Sequence, residues 1–166
     1  MDTLKVQRDG YTISTDRDRL DVPLIHEFLS QRSYWAQGRP LDVVQQSLQN
    51  SLCFGVYEGE QQVGLARVVT DYATFAWLCD VFILESHRGR SLGRWLIETV
   101  AGHPALAGRK LVLLATRNAH GLYQRYGGFE QLQDLGRWMV RSHNAQNRTG
   151  SLQANHLEET GGAITR

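Results

Sequence analysis

The run Phe75–Leu84, FAWLCDVFIL, is apolar at every position except Asp80. A stretch that long without polar alternation suits a β-strand covered on both faces rather than one with a wet side. After His87-Arg88-Gly89-Arg90 the period changes, and Leu92, Trp95, Leu96, Thr99 and Val100 fall at helical spacing until Gly102-His103-Pro104. A doubly covered strand leading through a short glycine turn into an amphipathic helix demands a layered sheet with helices.

The flanking sequence supplies those layers. Residues 3–15 hold Val6, Tyr11 and Ile13 around Asp9-Gly10, which predicts a short first strand or hairpin. Leu24, Ile25, Phe28 and Leu29 make one apolar helical stripe, with Asp18 or Asp21 as cap and Pro23 in the first turn. The segment 32–40, RSYWAQGRP, reads as a loop, and a second helix follows from Leu41 to about Ser51 with Val43, Val44 and Leu48 inward. Leu52–Tyr57 and Val63–Thr70 flank Glu58-Gly59-Glu60-Gln61 as a hairpin. Lys110–Ala115 is another buried strand, Ala119–Tyr126 a short helix stopped by Gly127-Gly128, and Trp138-Met139-Val140 a closing strand. The expected fold is a mixed α/β domain over residues 1–141. From Ser142 the composition turns to Asn, Gln, Ser, Thr and Gly, so 142–166 is expected to be a solvated tail.

Charge and composition narrow the function. The 166 residues carry a formal net charge of +1, so no bulk field draws in nucleic acid or an anionic membrane, and anion recognition must be local. No apolar run approaches the ~18 residues of a membrane span, and the N-terminal MDTLKVQRDG lacks a signal-peptide core. A cytoplasmic protein is expected. Cys53 and Cys79 sit among apolar strand residues and read as buried thiols, and the six histidines show no zinc-site spacing, so no metal is expected.

The local anion site is the turn itself. A helix N-terminus offers unpaired backbone N–H groups and about half a positive charge. Gly89 and Gly93 let a ligand approach the main chain, and Arg88, Arg90 and Arg94 bring forked donors suited to phosphate. The pattern fits neither a P-loop, which needs Gly-Lys-Ser/Thr, nor a dinucleotide fingerprint, which follows a parallel unit.

Asp80–Arg94, DVFILESHRGRSLGR, resembles motif A of the GNAT acetyltransferases, whose core is Arg/Gln-x-x-Gly-x-Gly/Ala after the family's fourth strand. His120–Phe129, HGLYQRYGGF, resembles motif B of the same family, about thirty residues on. With the order of strands and helices, the resemblance spans roughly residues 4–140. It departs at Ser91, where the motif has its first glycine, and at the doubled Gly127-Gly128, which would widen the turn after the helix.

That resemblance implies a central, mostly antiparallel sheet of six to seven strands flanked by helices, and acetyl-CoA as co-substrate. Arg88, Gly89, Arg90, Ser91, Leu92, Gly93 and Arg94 would hold its pyrophosphate, backbone groups of Val81, Phe82 and Ile83 would pair with the pantetheine arm, and Asn118 would contact the cofactor. Tyr123 would protonate the leaving thiolate, with Tyr126 as the alternative. Asp80 would be the base, acting directly or through water, or else an ion-pair partner of an arginine such as Arg67. Tyr34, Trp35 and Tyr72 would line the acceptor side, while His120 reads as a helix-surface residue. The acceptor would be an amine of a small molecule or a protein, and the enzyme a monomer or homodimer. A CoA-binding module without catalysis is the competing reading.

Overall fold

A computed structural model of the chain describes residues 3–108 and 111–141. The chain divides into two compact units, Met1–Glu130 and Gln131–Arg166.

In the first unit, β1 (Lys5–Arg8) and β2 (Tyr11–Ser14) form the hairpin around Asp9-Gly10. Asp21, not Asp18, caps α1 (Val22–Glu27), its carboxylate accepting from Leu24 N–H at 3.0 Å, with Pro23 in the first turn. The helix runs on as a π-turn over Phe28–Arg32. In α2 (Leu41–Gln49) Val44 and Leu48 are buried, but Val43, expected inward, is exposed. A nine-residue helix offers the sheet one narrow stripe, and Val44–Leu48 at i, i+4 fills it.

Strands β3 (Leu52–Glu58), β4 (Gln61–Thr70) and β5 (Phe75–Ile83) continue the meander; α3 (Leu92–Ala101) then crosses to β6 (Leu111–Leu114), and α4 (His120–Gly127) follows. The six strands lie in sequence order, antiparallel except for the β5–β6 pair. That pair is parallel because a helix must carry the chain back to the same end of the sheet.

Two clusters cover the two faces. Ile13, Phe54, Val56, Val68, Ala76 and Leu78 pack with Trp95, Leu96 and Ile97 of α3. Ile25, Leu29, Val44 and Leu48 pack with Cys53, Leu65 and Phe82, where Phe28 stacks on Phe82 at 3.9 Å between ring centroids.

β4 and β5 approach closely at Gly64. A Cβ there would lie 2.6 Å from Ile83 Cδ1 and 2.8 Å from the Phe82 carbonyl oxygen. Gly64→Ala is therefore expected to cost about 1–3 kcal/mol by overpacking, measured as a lower urea midpoint at unchanged slope. A wild-type midpoint would contradict the close approach.

In the second unit the described residues hold one 3-10 turn, Leu135–Arg137. The closing strand expected at Trp138–Val140 is not formed: these residues join no ladder, and Met139 is 97% exposed. Three apolar residues between Arg137 and Arg141 carry too little surface to offset the entropy of ordering a strand. Among the described residues the sheet has six strands, the lower of the expected counts. The tail expected from Ser142 lies outside the described residues.

Candidate active site

The site begins where β5 loses its neighbour. β6 pairs with β5 only from Phe75↔Leu111 to Leu78↔Leu114. Beyond that the strands part, and a cleft of about 550 Å³ opens between residues 77–81 of β5 and residues 115–119 leading into α4.

A β-bulge sits at the parting point. Leu65 faces Phe82 and Arg67 faces Cys79, so one residue of β4 opposes two of β5, Asp80 and Val81. Asp80 takes the left-handed conformation at φ 49°, which Asp tolerates better than most residues. The extra residue exchanges faces along the strand. Ala76 and Leu78 pack toward α3, and past the bulge Ile83 does so while Phe82 turns to the α1–α2 side.

The bulge also decides which main-chain groups are free. Leu84 N–H donates to the Val63 carbonyl at 2.8 Å, so Gly64 and Ile83 form a pair whose own amide groups point away from each other. Ile83, and by alternation Val81, thus present backbone groups to the unpaired edge, whereas those of Phe82 face Leu65. The Ile83 carbonyl accepts from Arg88 Nε at 3.1 Å. Of the three residues expected to offer free backbone groups, Val81 keeps both outward, Ile83 keeps its N–H, and Phe82 gives its side chain to the core.

At the end of β5, a 3-10 turn (Glu85–His87) leads into Arg88-Gly89-Arg90-Ser91. Gly89 has φ 77° and Ser91 φ 59°. Ser91 makes no side-chain cap, and among the described residues none of the amides of Gly89 through Arg94 finds an acceptor. A Cβ on Gly93 would meet nothing within 4 Å. Six uncapped amides at the start of a ten-residue helix are an anion site in waiting.

The arginines are deployed differently from expectation. Arg88 folds back on Glu85 at 3.0 Å, and Arg94 pairs with Glu98 at 2.8 Å while lying over the Tyr126 ring. Arg90 donates to the Tyr11 hydroxyl at 2.8 Å and lies 3.9 Å from Glu58. Glu58 also meets His87 Nε2 at 3.3 Å, and hydrogen bonds from Tyr11 and His87 hold its carboxyl below the usual range. These contacts brace the turn against β2 and β3, leaving the amides as its foremost donors.

The cleft walls carry the other expected residues. Tyr123 is buried and lines the cleft, its ring edge-on to Phe129; burial, with a smaller push from Tyr34, raises its phenol to about 12. Its hydroxyl has no partner among the described residues. Tyr126, under Arg94, is absent from the lining, as are His120 and Tyr72; Asn118, Tyr34 and Trp35 belong to it. The doubled glycine does not widen the turn after α4. A Cβ on Gly127 would lie 2.8 Å from Phe129 Cδ2 and 3.0 Å from Ile97 Cγ2, and Gly128, at φ 68°, lets Phe129 N–H return to the Tyr123 carbonyl.

Asp80 is 4% exposed and surrounded. Its Oδ2 accepts from Arg67 Nε at 2.8 Å and Arg39 Nη1 at 2.9 Å, and its Oδ1 from Trp35 Nε1 at 3.1 Å. Arg67 is the partner that sequence spacing suggested. Arg39 went unrecognised, because nothing in a glycine- and proline-punctuated loop signals a contact 41 residues away. Burial pushes the Cys79 thiol on the cleft wall up to about 11 and that of Cys53 to about 12, so neither is a thiolate nucleophile at neutral pH.

Comparison with known proteins agrees with this geometry. Residues 49–131 match the profile of the Acetyltransferase (GNAT) domain. A Gibberella zeae protein named as an acetyltransferase is 36% identical, the alignment covering 68% of this chain and 76% of the relative. A solved structure from Xanthomonas campestris pv. campestris, assigned to the GNAT family, is 46% identical with TM-score 0.78, covering 82% of this chain and 95% of that one. A Clostridium acetobutylicum acetyltransferase structure with acetyl-CoA shares the fold at 12% identity and TM-score 0.56, covering 80% and 94%.

Proposed function

The chain belongs to the GNAT acetyltransferase family, and from that premise we propose that it moves the acetyl group of acetyl-CoA to the nitrogen of an amine by direct attack. The observation that carries this reading is a continuous path. Unpaired amides at Gly89–Arg94 lead to the unpaired edge of β5, and the cleft beside that edge holds the free Tyr123 hydroxyl.

The co-substrate supplies an activated thioester; this chain's groups bind, align and move protons. The α3 amides fit a diphosphate in number and charge. The outward groups of Val81 and Ile83 fit an amide-bearing arm laid along β5 as an added strand. One outward N–H would then face the thioester oxygen as charge grows there, a donor whose loss typically costs about 3–4 kcal/mol. As the C–N bond forms and the C–S bond breaks, Tyr123 gives its proton to the sulfur. The amine proton leaves through water, for which Asp80 Oδ1, with only Trp35 donating to it, retains an open lone pair.

A thiol-release assay tests this. Acetyl-CoA with a panel of amines should give amine-dependent free thiol and an N-acetylated product by mass spectrometry. Tight acetyl-CoA binding with no amine-dependent release from any member would favour a CoA-binding module instead.

A further inference from the structure

The cleft beside β5 contains three arginines, Arg39, Arg67 and Arg117, against a single acid, Asp80. Asp80 already accepts from two of them and an indole, which leaves it one open lone pair, on Oδ1. Those two arginines are not saturated either. Arg39 spends one Nη on Asp80, and Arg67 spends Nε there and Nη1 on Ser51 Oγ at 2.9 Å. Among the described residues, Arg39 Nε and Nη2 and Arg67 Nη2 meet no acceptor. Their side chains are only 23% and 11% exposed. These open donors face the cleft and are reached by its solvent, which an anion can replace with charge-assisted, forked hydrogen bonds.

We infer that the acceptor amine carries an anionic group, carboxylate or phosphate, which docks on the open donors of Arg39 and Arg67. The inference rests on the amine-transfer reading above. A polycationic acceptor would find one carboxylate, already neutralised by two arginines, and three like charges. The same positive field favours the neutral form of the acceptor nitrogen over its ammonium, which is the form that attacks. Trp77 and the edge-to-face pair Tyr34–Trp35, 5.0 Å between centroids, give the acceptor's body an apolar, flat-walled seat.

Matched pairs test it: L-phenylalanine against L-phenylalaninamide for carboxylate, and O-phosphoethanolamine against ethanolamine for phosphate. Initial rates with acetyl-CoA and calorimetric titration into CoA-loaded enzyme are measured for wild type, Arg39→Gln and Arg39→Lys. At least one acid should exceed its uncharged partner tenfold or more, in kcat/KM or in affinity. Arg39→Gln should erase most of that preference and Arg39→Lys retain it, with acetyl-CoA affinity unchanged in both. The pair showing the preference identifies the anion. Preferential binding of the acid without thiol release would uphold this inference while removing the transfer reading. Equal handling within both pairs, or a preference indifferent to Arg39→Gln, overturns it.

Discussion

Glutamate in place of Gly93 is expected to weaken acetyl-CoA binding at least a thousandfold while leaving the protein as stable as before. Position 93 lies in the first turn of α3 with helical backbone angles, and a Cβ there points into open space. Nothing in the fold resists the side chain. A carboxylate near a helix N-terminus adds about 0.3–1 kcal/mol of stability, so the melting temperature should hold or rise slightly. The ligand meets the opposite consequence: the new carboxylate takes the amides of Gly89–Arg94 for itself and repels the diphosphate they would hold. A thousandfold loss is about 4 kcal/mol, in keeping with the loss of a multi-donor anion site. Gly93→Ala, adding only a methyl group, should lose much less. Calorimetry showing the glutamate variant within tenfold of wild type would mean that the α3 amides do not hold the co-substrate.

Why that turn was legible and the cleft floor was not follows from the range of the signals. The α3 period, the glycines at 89 and 93, and the hairpins at Asp9-Gly10 and Glu58-Gly59 are local patterns, and each forms where the spacing put it. So too are Glu85–Arg88 and Arg94–Glu98, helix-spaced pairs that account for two of the three arginines expected on phosphate. The bulge left no trace, because a run apolar on both faces has no alternation to interrupt. Only Asp80 marked it, and an acid in an apolar run says that a partner exists without saying where. Its partners come from β4 and from the loop before α2, brought together by the sheet and by the packing of α1 and α2 upon it. Tyr123 rather than Tyr126 in the cleft is likewise tertiary: Arg94, one helix earlier, lies on the Tyr126 ring and fixes which side of α4 faces α3.

Phenylalanine at position 123 is expected to lower kcat by about a thousandfold with acetyl-CoA affinity unchanged, within the range for loss of a positioned general acid. The hydroxyl has no partner to strand among the described residues, so its removal should alter stability by less than about 1 kcal/mol. That separates catalysis from folding. Burial, which lifts this phenol to about 12, keeps the proton in place across the assay range. A free phenol near 10 would begin to ionise by pH 9; this one should not. The ratio of wild-type to variant kcat should therefore stay flat from pH 6 to about pH 10 and fall only as pH nears the raised value, where Tyr123 itself deprotonates. The neutral phenol stands far above a thiol's ordinary value of about 8.5. Its contribution is thus a hydrogen bond that shortens as charge gathers on sulfur; because full transfer is uphill, the proton that the phenol gives up as the C–S bond breaks is replaced from solvent in the cleft. If the ratio instead collapses above pH 8, the Tyr123 phenol ionises in its ordinary range and burial does not hold its proton in place. If the variant turns over at the wild-type rate, Tyr123 is a wall of the cleft and nothing more.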